Sequence, residues 1–388
     1  MNAPRTLVFI GPERTDARSV KRIAALTDHG WHVLGFTFHR DRGQPDPPPA
    51  WENVHLGTTY NRRYVQRFFA VLRGFWTVFR HRRRIRESAC LYAINPDNAL
   101  LALFARFICG RRLPLVIEIA DIQPVMCGSG LRSRLLRKME RFVLKRSQLL
   151  LTTSPGFLRY YFEPVQRYSG PVFLLENKIY PAAPLIAARK LRKAPVRGGT
   201  PWVIGYFGGF RCQRSIDLIC GLAAALPDKV AFILRGVAAG IDEGFLRESL
   251  RPHSNVHYGG AYRYPEELAD LYSAVDFNWC FDFSAAGTNS TWLLPNRIYE
   301  GGLFHCPTLA LENTETGEWL KNNGLGEILK EDLFSKLNGF FNSLTLKDWE
   351  ILRDRCAAAP DRLFAGEADY AELTAKLENL AAGQRGSD

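Results

Sequence analysis

Two kinds of hydrophobic pattern alternate along the chain. In TLVFIG (6–11), WHVLGFTF (31–38), CLYAI (90–94), LPLVIEIA (113–120) and LLLTTS (149–154), nearly every position is apolar or small. Between these runs the apolar positions recur at helical spacing. Residues 19–29 set Val20, Ile23, Ala24 and Leu26 on one side and stop at Gly30, 99–109 read as an apolar helix, and 131–146 as a basic one. Near-continuous apolar strands separated by helices predict parallel sheets covered on both faces. The pattern breaks at 181–201, where PAAPLIAARKLRKAPVRGGTP shows no alternation that buries a face and reads as a linker. It restarts with WVIGYFGG (202–209), VAFILRG (230–236), NVHYGG (255–260), DFNWCF (276–281) and CPTLAL (306–311), with helices expected over 215–226, 243–251, 265–274 and 295–303. The expectation is two doubly wound α/β domains, 1–180 and 202–388, with the terminal helices available to pack back on the first. In this architecture ligands bind beyond the carboxyl ends of the strands, so a cleft between two such domains is the expected site.

The length agrees, since 388 residues exceed what one hydrophobic core organises. Charge adds an asymmetry. The net +12 is the sum of 28 Lys/Arg against 13 Asp/Glu in 1–176 and 23 against 26 in 177–388. The basic half implies a polyanionic partner. The eight cysteines form no CxxC pair and no zinc-spaced cluster with His, so reduced, structural thiols are expected. Residues 1–10 carry one Arg and no signal-peptide core, and no run approaches 18 apolar residues.

The polyanion is narrowed by RRYVQRFFAVLRGFWTVFRHRRRIR (62–86). Val65, Phe68, Phe69, Leu72, Trp76 and Phe79 recur at helical spacing, with Arg67 and Arg73 among them and Arg80, Arg83 and Arg84 in the cluster at the end. An aromatic face bordered by cations suits an interfacial helix on anionic lipid, while the same stripe would also serve as an ordinary domain core. The helix over 131–146 extends the basic character. No nucleic-acid module is present, and the aromatics follow a helical stripe instead of a sheet platform.

Two segments carry candidate chemistry. In GYFGGFRCQR (205–214), read as a loop between strand and helix, Gly208 and Gly209 would let the backbone approach a phosphate, and Arg211 or Arg214 would neutralise it. The same segment is also compatible with a plain tight turn, and it lacks the GxGxxG fingerprint. In LPNRIYEGG (294–302), Pro295 suits a first helical turn that leaves the N-terminus open to an anion, and the Glu300 carboxylate would accept two hydroxyl hydrogen bonds. A solvated surface Glu is the other reading of that residue.

Taken in order, these pieces resemble GT-B glycosyltransferases, nearest family four and most similar to the branch in bacterial exopolysaccharide (succinoglycan-like) clusters. The resemblance runs from Thr6 to about Leu329. It rests on Asp16-Ala17-Arg18 with Gly30-Trp31-His32-Val33, on Leu115 through Asp121, on Ile204-Gly205-Tyr206-Phe207-Gly208, on the Leu294 to Glu300 run and on Thr316-Gly317-Glu318-Trp319-Leu320. It implies two Rossmann-like domains facing across a cleft and a nucleotide diphosphate sugar as donor. Glu300 would hold the donor ribose, with Asn296 and Arg297 beside the nucleotide. The 208–214 loop with Arg214 would meet the diphosphate, and Arg235 would be a second cation there. Two positions depart from the pattern: Trp292 stands where many retaining members have Glu, and Ala120 where many have His. For an inverting course the candidate base is Asp121, just past a strand end, and Glu118, three residues earlier on the same strand, stands beside it as a structural or supporting alternative. No Asp-x-Asp stands at a strand end, so no cofactor and metal-independent chemistry are expected. The expected acceptor is a polyprenyl-diphosphate-linked oligosaccharide presented on the inner face of the cytoplasmic membrane. A soluble transferase acting on a protein or small molecule, and a non-catalytic scaffold of the same fold, are the alternatives.

Overall fold

The computed structural model describes residues 5–40, 48–59, 64–191 and 199–383. The chain divides into two units, one made of Met1–Leu175 with Ala368–Asp388 and the other of Glu176–Glu367.

The first unit is built on a seven-stranded, all-parallel sheet. Its strands are β1 (Thr6–Gly11), β2 (His32–Arg40), β3 (Glu52–Thr59), β4 (Cys90–Ile94), β5 (Leu115–Ile119), β6 (Leu149–Thr152) and β7 (Val172–Leu174), in spatial order β3-β2-β1-β4-β5-β6-β7. The strand order reverses between β1 and β4, which is where a doubly wound sheet opens a crevice at its carboxyl edge. Central strands β4, β5 and β6 are buried at every position, Glu118 of β5 and Thr152 of β6 included, as near-continuous apolar runs require. The helix Ala17–Asp28 follows β1 and starts at Asp16, whose carboxylate accepts from the Ser19 amide at 2.8 Å.

The second unit holds six parallel strands: β8 (Trp202–Phe210), β9 (Val230–Ala238), β10 (Val256–Tyr258), β11 (Phe277–Trp279), β12 (Thr308–Leu311) and β13 (Gly326–Leu329). Their order is β10-β9-β8-β11-β12-β13, with the switch point between β8 and β11. One core, around Trp202, Phe232 and Trp279, fills one side of this sheet, and another, around Phe207, Tyr272 and Phe364, fills the other.

Two expectations change. The segment read as a linker contains the helix Ala183–Leu191, held because Ala182 and Leu185 enter the core around Phe207 and Tyr272. Edge strands β3 and β7 escape a reading based on long apolar runs, β3 because ENVHLGTT carries none, as a strand with one neighbour need not, and β7 because it is only the three residues Val172–Leu174. The helix Glu367–Gly383 belongs mostly to the first unit, the return for which the terminal helices were available, with Tyr370, Leu373 and Leu377 buried.

The helix Leu131–Leu144 buries an unusual set, Ser133, Glu140, Val143 and Leu144, and leaves Leu131 (79%), Leu135 (68%) and Phe142 (43%) exposed. Glu140 accepts from the Tyr161 hydroxyl and the Gln166 amide, yet burial pushes its carboxyl up to about 7. An acid whose folded pKa is raised favours the folded state only while protonated. Stability therefore falls as pH rises from the ordinary 4.5 to about 7. The isosteric Glu140→Gln variant removes that loss and keeps a carbonyl oxygen to accept from the Tyr161 hydroxyl and the Gln166 amide. It is expected to be more stable than wild type by roughly 2–3 kcal/mol at pH 8. The gain should vanish near pH 4.5, as read from melting curves at both pH values.

Candidate functional site

At the carboxyl end of the first sheet, Asp121 follows β5 with its side chain 43% exposed, and Arg18 Nη2 donates to its Oδ2 at 3.0 Å. Arg18 is on the first turn of the helix that Asp16 caps, so the Asp-x-Arg motif places one residue to start the helix and the other to meet Asp121. After β4, Asn95 takes the left-handed conformation (φ 71°) where the chain turns into the helix Asn95–Ile108.

Glu118 requires correction as a catalytic candidate. It is fully buried on β5, and Arg22 Nε reaches both its oxygens at 3.2 Å while Nη2 reaches Oε1 at 2.9 Å. Tyr92 on β4 donates to its other side, and Arg22 in turn donates to the Tyr370 hydroxyl and, at 3.3 Å, to the Leu175 carbonyl. Burial alone would raise the Glu118 pKa, but Arg22 holds it below the ordinary carboxylate value. An acid engaged on both oxygens and closed to solvent fastens the fold and has no route to a substrate hydroxyl.

In the second unit the chemistry gathers around the switch point. The Gly208 and Gly209 segment is a continuation of β8 instead of a loop, paired in register with Gly236 and Val237 of β9, and only Arg211 and Cys212 separate the strand from the next helix. Gly208 has φ +120°, and a Cβ on Gly236 would lie 1.7 Å from the Gly208 carbonyl oxygen. Both positions therefore require glycine, and the backbone there stays bare. The helix Gln213–Ala225 begins without a side-chain cap, as does the helix Asn296–Leu303 that follows Pro295. Two uncapped helix N-termini beyond adjacent strands supply N–H groups suited to an anion.

Glu300 lies on the Asn296–Leu303 helix, 3% exposed, and accepts from the Tyr272 hydroxyl at 3.1 Å. Burial and then the Glu300 charge push the hydroxyls of Tyr262 and Tyr272 upward, so both tyrosines stay protonated donors. Arg297 lies one turn earlier on that helix, with its guanidinium 4.9 Å from the Tyr206 ring of β8. Its Nε is buried without a hydrogen-bond partner among the described residues. The glycines after Glu300 are explained by packing. A Cβ on Gly301 would meet Asn278 Nδ2 at 2.8 Å, and one on Gly302 the Phe364 ring at 2.1 Å, so the helix is pressed against its neighbours. Asn296 and Arg211 are exposed.

Arg214 is half exposed, pairs with Glu331 at 2.7 Å and covers the Phe283 ring at 4.2 Å. Arg235 has a different employment from the one expected. Its guanidinium donates to Glu267 at 2.8 Å and to the carbonyls of Gly260 (3.2 Å) and Ala261 (2.9 Å), tying the segment after β10 to β9. The reading of the sequence missed Arg18, Asn95, Tyr206, Tyr262 and Tyr272. Of these Arg18 left a signal, its place in the motif after Asp16, and so did Tyr206, its place in the Ile204 to Gly208 run.

The basic aromatic helix Tyr64–Arg80 presents Leu72 (48%), Trp76 (60%) and Phe79 (38%) outward, with Gly74 and Val78 inward. Arg73, Arg80, Arg83 and Arg84 are exposed, Arg84 in an ion pair with Glu52. The side chains of Arg67, Phe68 and Phe69 lie outside the described residues. This helix packs on Asn95–Ile108 through Phe75 and Phe104 (5.0 Å), and Asn95–Ile108 packs in turn on Leu131–Leu144. No helix among the described residues is long and apolar enough to cross a membrane.

A family model for a Glycosyl transferase 4-like domain matches residues 17–177. The chain is 32% identical over 326 residues to the succinoglycan biosynthesis protein ExoL of Rhizobium meliloti (strain 1021), covering 84% of this chain and 81% of that protein. Among solved structures it is similar to the sucrose-phosphate synthase (tll1590) of Thermosynechococcus elongatus, with TM-score 0.71, 15% identity and coverage of 98% and 100% of the two chains. It is also similar to Anabaena Alr3699/HepE in complex with UDP, with TM-score 0.66, 15% identity and coverage of 96% and 100%. Two parallel-sheet Rossmann-like units, a match to the family model and a relative spanning most of both chains give one conclusion: the chain belongs to the glycosyl transferase 4-like family and is a GT-B glycosyltransferase.

Proposed function

We propose that this glycosyltransferase moves a sugar from a nucleotide diphosphate sugar to a lipid-linked oligosaccharide at an anionic membrane surface, in the assembly of a bacterial exopolysaccharide. One observation carries the lipid part. Leu72, Trp76, Phe79, Phe107, Leu131, Leu135 and Phe142 are exposed on three successively packed helices of the basic unit, bordered by arginines. Scattered exposed apolar residues are ordinary, but a run of them across neighbouring helices marks an interaction surface. The name of the R. meliloti relative supports the pathway, and UDP bound to the Anabaena structure supports the donor class.

In this reading Glu300 accepts the two ribose hydroxyls, and Tyr272 fixes its carboxylate. Arg297, Arg214 and the two uncapped helix N-termini stabilise the diphosphate as it leaves. The bare backbone at Gly208 and Gly209 admits its oxygens. The acceptor oxygen bonds the anomeric carbon as the bond to the diphosphate breaks, and Asp121 takes the hydroxyl proton.

The test is transfer to one oligosaccharide presented either free or on polyprenyl diphosphate in vesicles. The lipid-linked form is expected to be used at least about tenfold better, and the combined Trp76→Ser and Phe79→Ser variant to lose that preference. Asp121→Asn should lower transfer by about 10²–10⁴-fold while donor binding persists. Equal use of both acceptors would refute the lipid-linked reading.

A further inference from the structure

At the end of β5 opposite to Asp121, a cavity of about 660 Å³ opens where the helix Asn95–Ile108 gives way to the next strand. Arg106, Arg111, Arg112 and Arg146 line it with Phe107 and Phe142, and no carboxylate does. Among the described residues three of these arginines, Arg106, Arg111 and Arg146, are held by carbonyls and a ring instead of acids. Arg106 Nη1 donates to the Arg146 carbonyl at 3.0 Å and Arg111 Nη1 to the Arg86 carbonyl at 3.0 Å, while Arg146 lies 3.7 Å over the Phe142 ring. Burial and the charge of Arg146 both weaken the hold of Arg106 on its proton. Four guanidinium groups gathered without a counter-charge leave N–H donors whose natural complement is an anion with several oxygens. Phe107, 83% exposed, lies at the same cavity and on the middle helix of the exposed apolar face.

We propose that this cavity is a lipid headgroup site: the phosphate of an anionic phospholipid is bound by Arg106, Arg111, Arg112 and Arg146, while Phe107 enters the apolar layer beside it. A soluble anion would draw nothing from an exposed phenyl ring, whereas a lipid phosphate at an interface meets cation and aromatic together. The inference rests on the lipid-facing reading of the three helices, and it adds a specific phosphate contact to their general affinity.

The experiment uses the full chain. Flotation with phosphatidylcholine vesicles, with and without phosphatidylglycerol, reads membrane affinity. Titration with monomeric dihexanoyl phosphatidylglycerol reads the cavity alone. The triple variant Arg111→Gln, Arg112→Gln and Arg146→Gln should bind anionic vesicles about a hundredfold more weakly and lose the monomeric lipid. Phe107→Ser, at an exposed position that leaves the core intact, should weaken vesicle binding and keep the monomeric lipid. If the triple variant melts early, Arg112→Gln with Phe107→Ser serves in its place. Unchanged binding by these variants, with binding lost instead in Arg73→Gln, Arg80→Gln and Arg83→Gln, overturns the cavity and leaves the lipid-facing reading standing. Absence of vesicle binding by the wild type overturns both. Displacement of the monomeric lipid by equimolar inorganic phosphate reassigns the cavity to a free anion and overturns the lipid site.

Discussion

Glu300→Gln is expected to lower kcat/KM for the nucleotide sugar by about 10²–10³-fold while the protein melts within a few degrees of wild type. The substitution keeps the shape of the side chain and its bond from Tyr272, and replaces a charged acceptor by an amide that accepts through one oxygen. Hydrogen bonds to a charged group are worth about 1.5–3 kcal/mol each, and a ribose presents two hydroxyls. The buried setting strengthens the expectation, because a carboxylate 3% exposed beside two protonated tyrosines has little water to replace a lost contact. Steady-state kinetics across donor concentrations, with a melting curve for each protein, reads both quantities. A variant as active as wild type would remove Glu300 from the donor site.

Breaking the Arg22–Glu118 pair should affect the fold and spare the chemistry. Glu118→Gln leaves the Arg22 guanidinium buried without its counter-charge, a change that costs about 3–5 kcal/mol in comparable settings. For a unit of this size that corresponds to a fall of roughly 6–20 °C in the melting of the first unit. Molecules still folded at low temperature should keep their kcat, which separates a fastening role from a catalytic one. The pH dependence follows from the direction of the shift. Glu118 is held below the ordinary value of 4.5, so its contribution is complete above that pH and is lost as pH falls through its lower folded value. Wild type and variant should therefore converge in stability only in acid. A loss under about 1 kcal/mol near neutrality, or a kcat that falls in proportion to nothing but the missing carboxylate, would reverse the assignment.

The pattern of apolar positions disclosed the central strands because a parallel strand buried on both faces has few places for a polar residue. β1, β4, β5, β8 and β9 all lie where continuous apolar runs predict them, and the limits differ by a few residues. The role of the ends of β8 and β9, readable both as strand and, around Gly208, as a loop, is ambiguous in the sequence for a specific reason. Glycine at 208 suggests a turn, whereas here it continues a strand beside Gly236, and nothing local to either glycine names the other. Glu118 and Arg235 looked available because an acid or cation near a strand end does look so in one dimension. Their partners are 96 and 32 residues away in sequence, and only the fold brings them together. The stripe of Leu72, Trp76 and Phe79 had two equally good fates. An apolar face signals that something covers it, and helical period alone does not distinguish the rest of the domain from a membrane.

The return of the helix Glu367–Gly383 to the first unit has a bearing on biosynthesis. The second unit is in effect an insertion, so a ribosome finishes the first unit only after making the whole of the second. Until Tyr370 has emerged, Arg22 lacks one of its hydrogen-bond partners and the apolar ground later covered by Leu373 and Leu377 stays open. The basic unit thus spends most of its synthesis incomplete, and a fragment ending at residue 175 would stay in that unfinished state permanently.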